Sequence, residues 1–189
     1  MDLHIATQNK PNNKIVRDYD KLLKVVEGLR LIGLKIVVTI GSWDLLHIGH
    51  VRYLLRGKSH GDVLIVGVDT DQAVRAYKGP LRPVVPEGER CEMLSYQSCV
   101  DLITMVDDVE KGGKWNYGLI KKIKPDVFIA VEDSYPPKQL KEIKKYCKRV
   151  VVLPRQAEKT STTQMIQNTV KAHLETMRDL AMQKKTVKY

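Results

Sequence analysis

Five short runs rich in Val and Ile, at residues 35–40, 62–68, 102–106, 126–131 and 149–153, constrain this chain more than any other feature. The first lacks polar alternation, as expected of a strand covered on both faces. Helical patterns flank the runs. In residues 18–31 the apolar positions are Leu22, Leu23, Val26 and Leu29, with Asp18 placed as an N-cap and Gly33 as a stop. Residues 50–59 carry Val51, Leu54 and Leu55 on one side and Arg52, Arg56 and Lys58 on another. Further helices are predicted from a cap at 69–71 through Ala76, over 86–97, around 115–122, over 137–147 and over 162–182. Strands alternating with helices, joined by right-handed crossovers, give an α/β fold: a Rossmann-like, doubly wound, five-stranded parallel sheet with helices on both faces.

The domain plan follows. Residues 1–17 are polar and read as a mobile N-terminal arm, 18–183 as a single domain, and 184–189 as a frayed basic tail. The formal net charge of +10 calls for an anionic partner. Nucleotide, sugar phosphate, nucleic acid and acidic lipid all satisfy that requirement. Cys91, Cys99 and Cys147 have no metal-ligand spacing, so they read as small apolar residues in a reducing, cytoplasmic setting. No apolar stretch approaches the roughly 18 residues needed to span a bilayer, and no membrane partner is expected.

The chemistry-bearing residues gather at one edge. In open α/β sheets ligands bind beyond the carboxyl ends of the strands, where strand order reverses. Asp44, His47 and His50 follow the first strand, Lys78 and Arg82 the second, and Asp133 the fourth. Ser161, Thr162 and Thr163 follow the fifth, at the start of the last helix. Residues 41–50 form the densest cluster, with His47 and His50 bracketing Gly49 at a strand-to-helix turn. Such a turn offers backbone N–H groups to a phosphate.

With its His47-Ile48-Gly49-His50 core, the 41–50 stretch resembles the signature of the cytidylyltransferase-like nucleotidyltransferases. The resemblance continues through 66–71, 77–84, Pro86 to Arg90, Val100-Asp101 and Thr160 to Thr163. The Lys78-Gly79-x-x-Arg82-Pro83-Val84 stretch, followed by Pro86 and Glu-x-Arg, looks most like the adenylyltransferase domain of bacterial ADP-heptose synthases. Glycerol-3-phosphate and ethanolamine-phosphate cytidylyltransferases come next. Three positions depart from the pattern. Trp43 stands where the family has Phe, Lys159 and Thr160 precede Ser161 where it has Gly, and Ala130-Val131-Glu132-Asp133 replaces Lys-Gly-Gly-Asp.

The resemblance implies transfer of an NMP group, AMP favoured, from an NTP to a phosphorylated sugar such as a heptose 1-phosphate, with release of pyrophosphate. The alternative is a CTP-dependent enzyme acting on glycerol 3-phosphate or an amino-alcohol phosphate. A different class is a catalytically lapsed nucleic-acid-binding or regulatory protein. The joint presence of Asp44, both histidines and the hydroxyl run argues against it, so nucleic acid is not the expected partner. The same resemblance implies a homodimer and Mg²⁺ as cofactor, with Asp44 as metal ligand.

By that resemblance His47, His50, Lys78 and Arg90 are the catalytic set, and Arg82 holds the substrate phosphate. Gly41, Trp43, Asp44, Gly49, Asp133, Ser161, Thr162 and Thr163 bind the nucleotide. Trp43 and Trp115 could also stack on a base, although large aromatic residues more often serve a core.

Overall fold

The computed structural model describes residues 11–110 and 114–186. Its five strands are β1 (Ile36–Gly41), β2 (Val63–Asp69), β3 (Leu102–Val106), β4 (Val127–Val131) and β5 (Arg149–Leu153). All neighbouring pairs run parallel, in the order β3-β2-β1-β4-β5. The helices are α1 (Tyr19–Leu31), α2 (Ile48–Lys58), α3 (Asp71–Lys78), α4 (Glu87–Ser95), α5 (Gly118–Ile123), α6 (Pro137–Ile143) and α7 (Thr162–Thr186). The Rossmann-like α/β expectation therefore holds, strand by strand.

Alternate strand residues feed two separate cores. Val37, Leu64, Val66, Val68, Val127 and Ile129 meet Tyr53 and Leu54 of α2 and Cys91 and Leu94 of α4. Ile36, Val38, Ile40, Ile65, Phe128 and Ala130 meet α1, α5 and α6 on the other face. Both faces are covered, which is why the strand sequences lack a polar side. Cys91 and Cys99 are buried in the first core and Cys147 is half-buried, all three as free thiols.

Strand order reverses between β1 and β4, which makes the crevice at their carboxyl ends the place for a ligand. These two strands pair only at Val37–Val127 and Val38–Phe128. Beyond that point the Tyr135 hydroxyl donates to the Ile40 carbonyl at 3.0 Å. The helix leading out of the crevice is set close to the sheet, because a Cβ on Gly57 would stand 2.0 Å from Ile129 Cδ1. A side chain at this position, near the C-terminal end of α2, would displace the buried Ile129.

Several boundaries differ from the sequence reading. The expected mobile arm is ordered at its inner end: Pro11–Lys14 form a 3₁₀ turn, Ile15 bridges Ile103, and the Val16 N–H donates to the Ile103 carbonyl. The free edge of β3 needs partners for its backbone, and this segment supplies them. Helix α2 begins at Ile48 rather than His50, because His47 takes the cap. Trp115 lies outside α5, in a bridge with Val109. At the far end α7 continues through Thr186, past the expected start of the tail. Residues 1–10 of the arm, the loop glycines Gly112 and Gly113, and tail residues 187–189 lie outside the described residues. No helix among the described residues is long and apolar enough to cross a membrane.

Candidate active site

The turn joining β1 to α2 is rigid and strained. Trp43 and Leu45 both adopt left-handed backbone conformations, with φ of 52° and 48°. For residues carrying a Cβ this costs energy and persists only where surrounding contacts enforce it. Those contacts are visible. Trp43 is buried, stacks near Tyr53 and His50, and donates its indole N–H to the Gly67 carbonyl at 2.9 Å. Its ring also lies against Gly41, where a Cβ would meet Trp43 Cε2 at 3.4 Å. The nucleotide-stacking role expected of Trp43 is therefore corrected: its ring and its only donor belong to the core.

The two histidines are arranged by backbone donors. His47 caps α2, and its Nδ1 accepts from the Gly49 N–H at 3.1 Å. His50 Nδ1 accepts from the His47 N–H at 3.3 Å. In a neutral imidazole an accepting Nδ1 places the proton on Nε2. Both rings, 3.9 Å apart, thus keep an Nε2–H with no protein acceptor among the described residues. Burial, the neighbouring His47 and Lys78 push the His50 pKa down to about 3. Burial and Arg155 lower that of His47. Gly49 is required here, since a Cβ would come within 2.9 Å of His47 Cε1 and 3.0 Å of Ala157 Cβ.

Lys78 reaches the same turn from the end of α3 and donates to Ser42 Oγ at 2.7 Å. Loss of water around its ammonium and the nearby Arg82 lower its pKa. Arg82 donates Nε to Asp44 at 2.6 Å, while its Nη2 is buried with no acceptor. The substrate-phosphate expectation for Arg82 is thus compatible with one guanidinium nitrogen and not with the other.

Asp44 and Arg90 depart furthest from what their residue types suggest. Asp44 is 1% exposed. Both of its carboxylate oxygens accept from the Val84 N–H at 3.0 Å, Oδ1 also from Val85 and Oδ2 from Arg82. These bonds hold its carboxyl below the usual range despite burial, which acts the other way. A fully buried carboxylate already holding three donors does not fit the Mg²⁺-ligand role expected of it. Arg90 is a buried staple. It donates to the carbonyls of Val85, Ser42 and Asp69 and to Asp71 Oδ1, joining the ends of β1 and β2 to the 79–86 loop. The catalytic contact expected of Arg90 does not fit this placement, because the side chain is buried and four of its five N–H donors are spent on protein oxygens.

The β5–α7 turn supplies the other wall. Thr162 Oγ1 donates to the Asp44 carbonyl at 2.8 Å, tying residues 118 positions apart. Ser161 Oγ caps α7 by accepting from the Gln164 N–H at 3.2 Å, and Thr163 is exposed. Asp133, expected at the nucleotide, is ion-paired with Arg155 through Nε at 2.7 Å and Nη2. Arg155 is the residue the sequence reading missed. It stands in no recognised motif, and only the fold brings its charge near His47.

The structure therefore brings together His47, His50, Lys78, Arg82 and the Ser161–Thr162 turn, with Gly41 and Gly49 beneath them. The pKa shifts of His47, His50 and Lys78 share a first cause, burial, and neighbouring cations add to it in the same direction.

Comparison with known proteins agrees with this geometry. Residues 38–174 match the family model described as Cytidylyltransferase-like. The chain is 36% identical over 129 residues, 68% of its length, to Bifunctional protein HldE of Geobacter metallireducens. It is 34% identical over 170 residues, 88% of its length, to the HldE of Desulfatibacillum aliphaticivorans. It spans only 25% and 32% of those relatives. Among solved structures, the lipopolysaccharide core biosynthesis protein from Thermoplasma volcanium superposes with a TM-score of 0.55 at 27% identity, covering 65% of this chain and 98% of that one. Pantoate-beta-alanine ligase from Francisella tularensis shares the fold, at a TM-score of 0.55 and 15% identity over 77% of this chain and 68% of that one.

Proposed function

The chain belongs to the cytidylyltransferase-like family, and on that premise we propose that it is a nucleotidyltransferase joining an NMP group to a phosphorylated small molecule. The observation that carries this reading is a set of spare donors around one turn: the Nε2–H of His47 and of His50, the N–H groups of Lys78 beyond the one given to Ser42, and the buried Nη2 of Arg82. They converge beside a helix N-terminus.

In the proposed reaction an oxygen of the acceptor phosphate bonds to the α-phosphorus of the NTP as the bond to pyrophosphate breaks. No protein nucleophile is needed, and catalysis is alignment plus charge stabilisation. His47 and His50 stay neutral at physiological pH and donate from Nε2 to oxygens that gain charge in the transition state. Lys78 and Arg82 place the incoming phosphate, and the Ser161–Thr162 turn receives the outer phosphates. A Mg²⁺ ion accompanying the triphosphate would draw on phosphate and water oxygens rather than on Asp44, which is committed to Arg82, Val84 and Val85.

The resemblance of the 78–90 stretch to ADP-heptose synthases favours ATP with a heptose 1-phosphate, and the family resemblance keeps CTP with glycerol 3-phosphate or an amino-alcohol phosphate as the second reading. The experiment is pyrophosphate release across four NTPs and a panel of phosphorylated acceptors. Turnover by one pair, lost in a His47→Ala, His50→Ala double variant, is the expected result. No pair exceeding that variant would end the enzyme reading and favour a binding protein that has lost the chemistry. We also propose the homodimer that the resemblance implies, which light scattering of the purified chain checks.

A further inference from the structure

One buried acid has no part in the mechanism above. Asp69, at the carboxyl end of β2, is 1% exposed, and its Oδ1 is buried with no hydrogen-bond partner. Its Oδ2 accepts from the Tyr77 hydroxyl at 2.6 Å. The Lys78 ammonium, which donates to Ser42 Oγ at 2.7 Å, lies near enough for its charge and that of Asp69 to act on each other. A buried acceptor left unpaired is rare enough to need a reason.

Three rings stand around it. Tyr77 and Trp115 lie with centroids 5.4 Å apart, and Trp115 and Tyr135 with centroids 6.4 Å apart. All three are half-buried, and they come from three segments of the chain, after β2, β3 and β4. Rings beside a carboxylate suit either an ammonium group or the C–H faces and hydroxyls of a polyol. The Lys78 ammonium already lies 5.6 Å from the Tyr77 centroid, so a second cation would be repelled. A neutral donor is not.

We propose that Asp69 reads the acceptor: its unpartnered oxygen accepts a hydrogen bond from a hydroxyl of a phosphorylated sugar or polyol. The carbon frame of that acceptor lies against Tyr77, Trp115 and Tyr135, and its phosphate is held at Lys78. This rests on the nucleotidyltransferase reading and deepens it by assigning the class of acceptor. Tyr77 is a positioning residue, holding the carboxylate through Oδ2.

The test uses the full chain with heptose 1-phosphate and glycerol 3-phosphate as hydroxyl-bearing acceptors and ethanolamine phosphate as the ammonium-bearing one. Asp69→Asn puts an N–H₂ where a lone pair stood. It is expected to raise KM for the hydroxyl-bearing acceptors about tenfold, the loss of one hydrogen bond, while KM for the NTP stays within about twofold. Tyr77→Phe, which keeps the ring, is expected to give a smaller change in the same direction, and it carries the test if Asp69→Asn fails to fold.

Burial raises the Asp69 pKa to about 6, against the Tyr77 hydrogen bond and the charges of Lys78 and Arg90, with Asp108 acting in the same sense as burial. Acceptor KM should therefore climb below that pH in the wild type beyond the climb in Asp69→Asn. An unchanged acceptor KM, an equal rise in both KM values, or a preference for ethanolamine phosphate that Asp69→Asn abolishes overturns the proposal. If the wild type turns over no acceptor, the transferase reading falls on its own. Calorimetric titration with the same phosphates then decides Asp69: binding weakened about tenfold in Asp69→Asn sustains it, and unchanged or absent binding ends it.

Discussion

The two walls of the site are built differently. The β1–α2 wall is buried and over-determined: Asp44 takes four hydrogen bonds, Arg90 gives four, and the turn is locked in two left-handed residues by the packing of Trp43. The β5–α7 wall is more exposed and reaches the first through the Thr162 hydroxyl and the contact of Ala157 with Gly49. The difference teaches a division of labour. On the proposed reaction, the groups assigned to the transition state are held on a stiff, dry scaffold, while those assigned to the outer phosphates sit on a lightly tethered turn.

The largest effect should come from removing the staple of the first wall. Arg90→Leu leaves three carbonyls and Asp71 without their cation, and urea unfolding should show a loss of about 3–5 kcal/mol. Retained stability would mean that the first wall does not depend on this residue. Removing the donors without the scaffold separates chemistry from folding. His47→Ala and His50→Ala should each lower kcat about 10²–10³-fold with unchanged far-UV circular dichroism. Gly49→Ala strikes both walls at their contact, since the added Cβ meets the His47 ring and Ala157. Displacing a catalytic ring on that scale should cost about 10²-fold in kcat, with a small change in Tm.

The buried wall should also register in the pH dependence of stability. The His50 pKa falls from its ordinary value of 6.5 to about 3 in the fold, so the unfolded chain binds the extra proton between these values. Stability is therefore full above pH 6.5 and declines as pH falls toward 3. His50→Gln should flatten that decline in urea titrations, and an unchanged slope would refute the neutral, buried ring. The smallest effect belongs to the second wall. Thr162→Val removes one hydrogen bond, about 1 kcal/mol, and should raise KM for the NTP a few-fold while leaving kcat nearly unchanged. A fall in kcat as large as that of the histidine variants would erase the distinction between the walls.

The fold was legible because burial on both faces of a parallel sheet is written locally. The strand at 62–68 and the cap at Asp18 need no distant partner to be recognised, and the observed β2 and α1 agree with them. The histidine turn was legible for the same reason, since His47, Gly49 and His50 act on one another within a single helical turn.

What the sequence could not assign was the use of each charge. Arg90 and Asp44 have the residue types of a phosphate ligand and a metal ligand, yet their partners, Ser42, Asp69, Val84 and Val85, lie up to 48 positions away in the chain. Arg155 carried no motif, and only the assembled sheet brings its charge near His47. Asp69 lay inside the resembling 66–71 stretch, but its burial with one oxygen unpartnered shows only in the fold. Local pattern determined the strands, the helices and the histidine turn. Tertiary structure decided which charges are spent inside the protein and which remain for a ligand, because pairing depends on distances that only the assembled sheet sets.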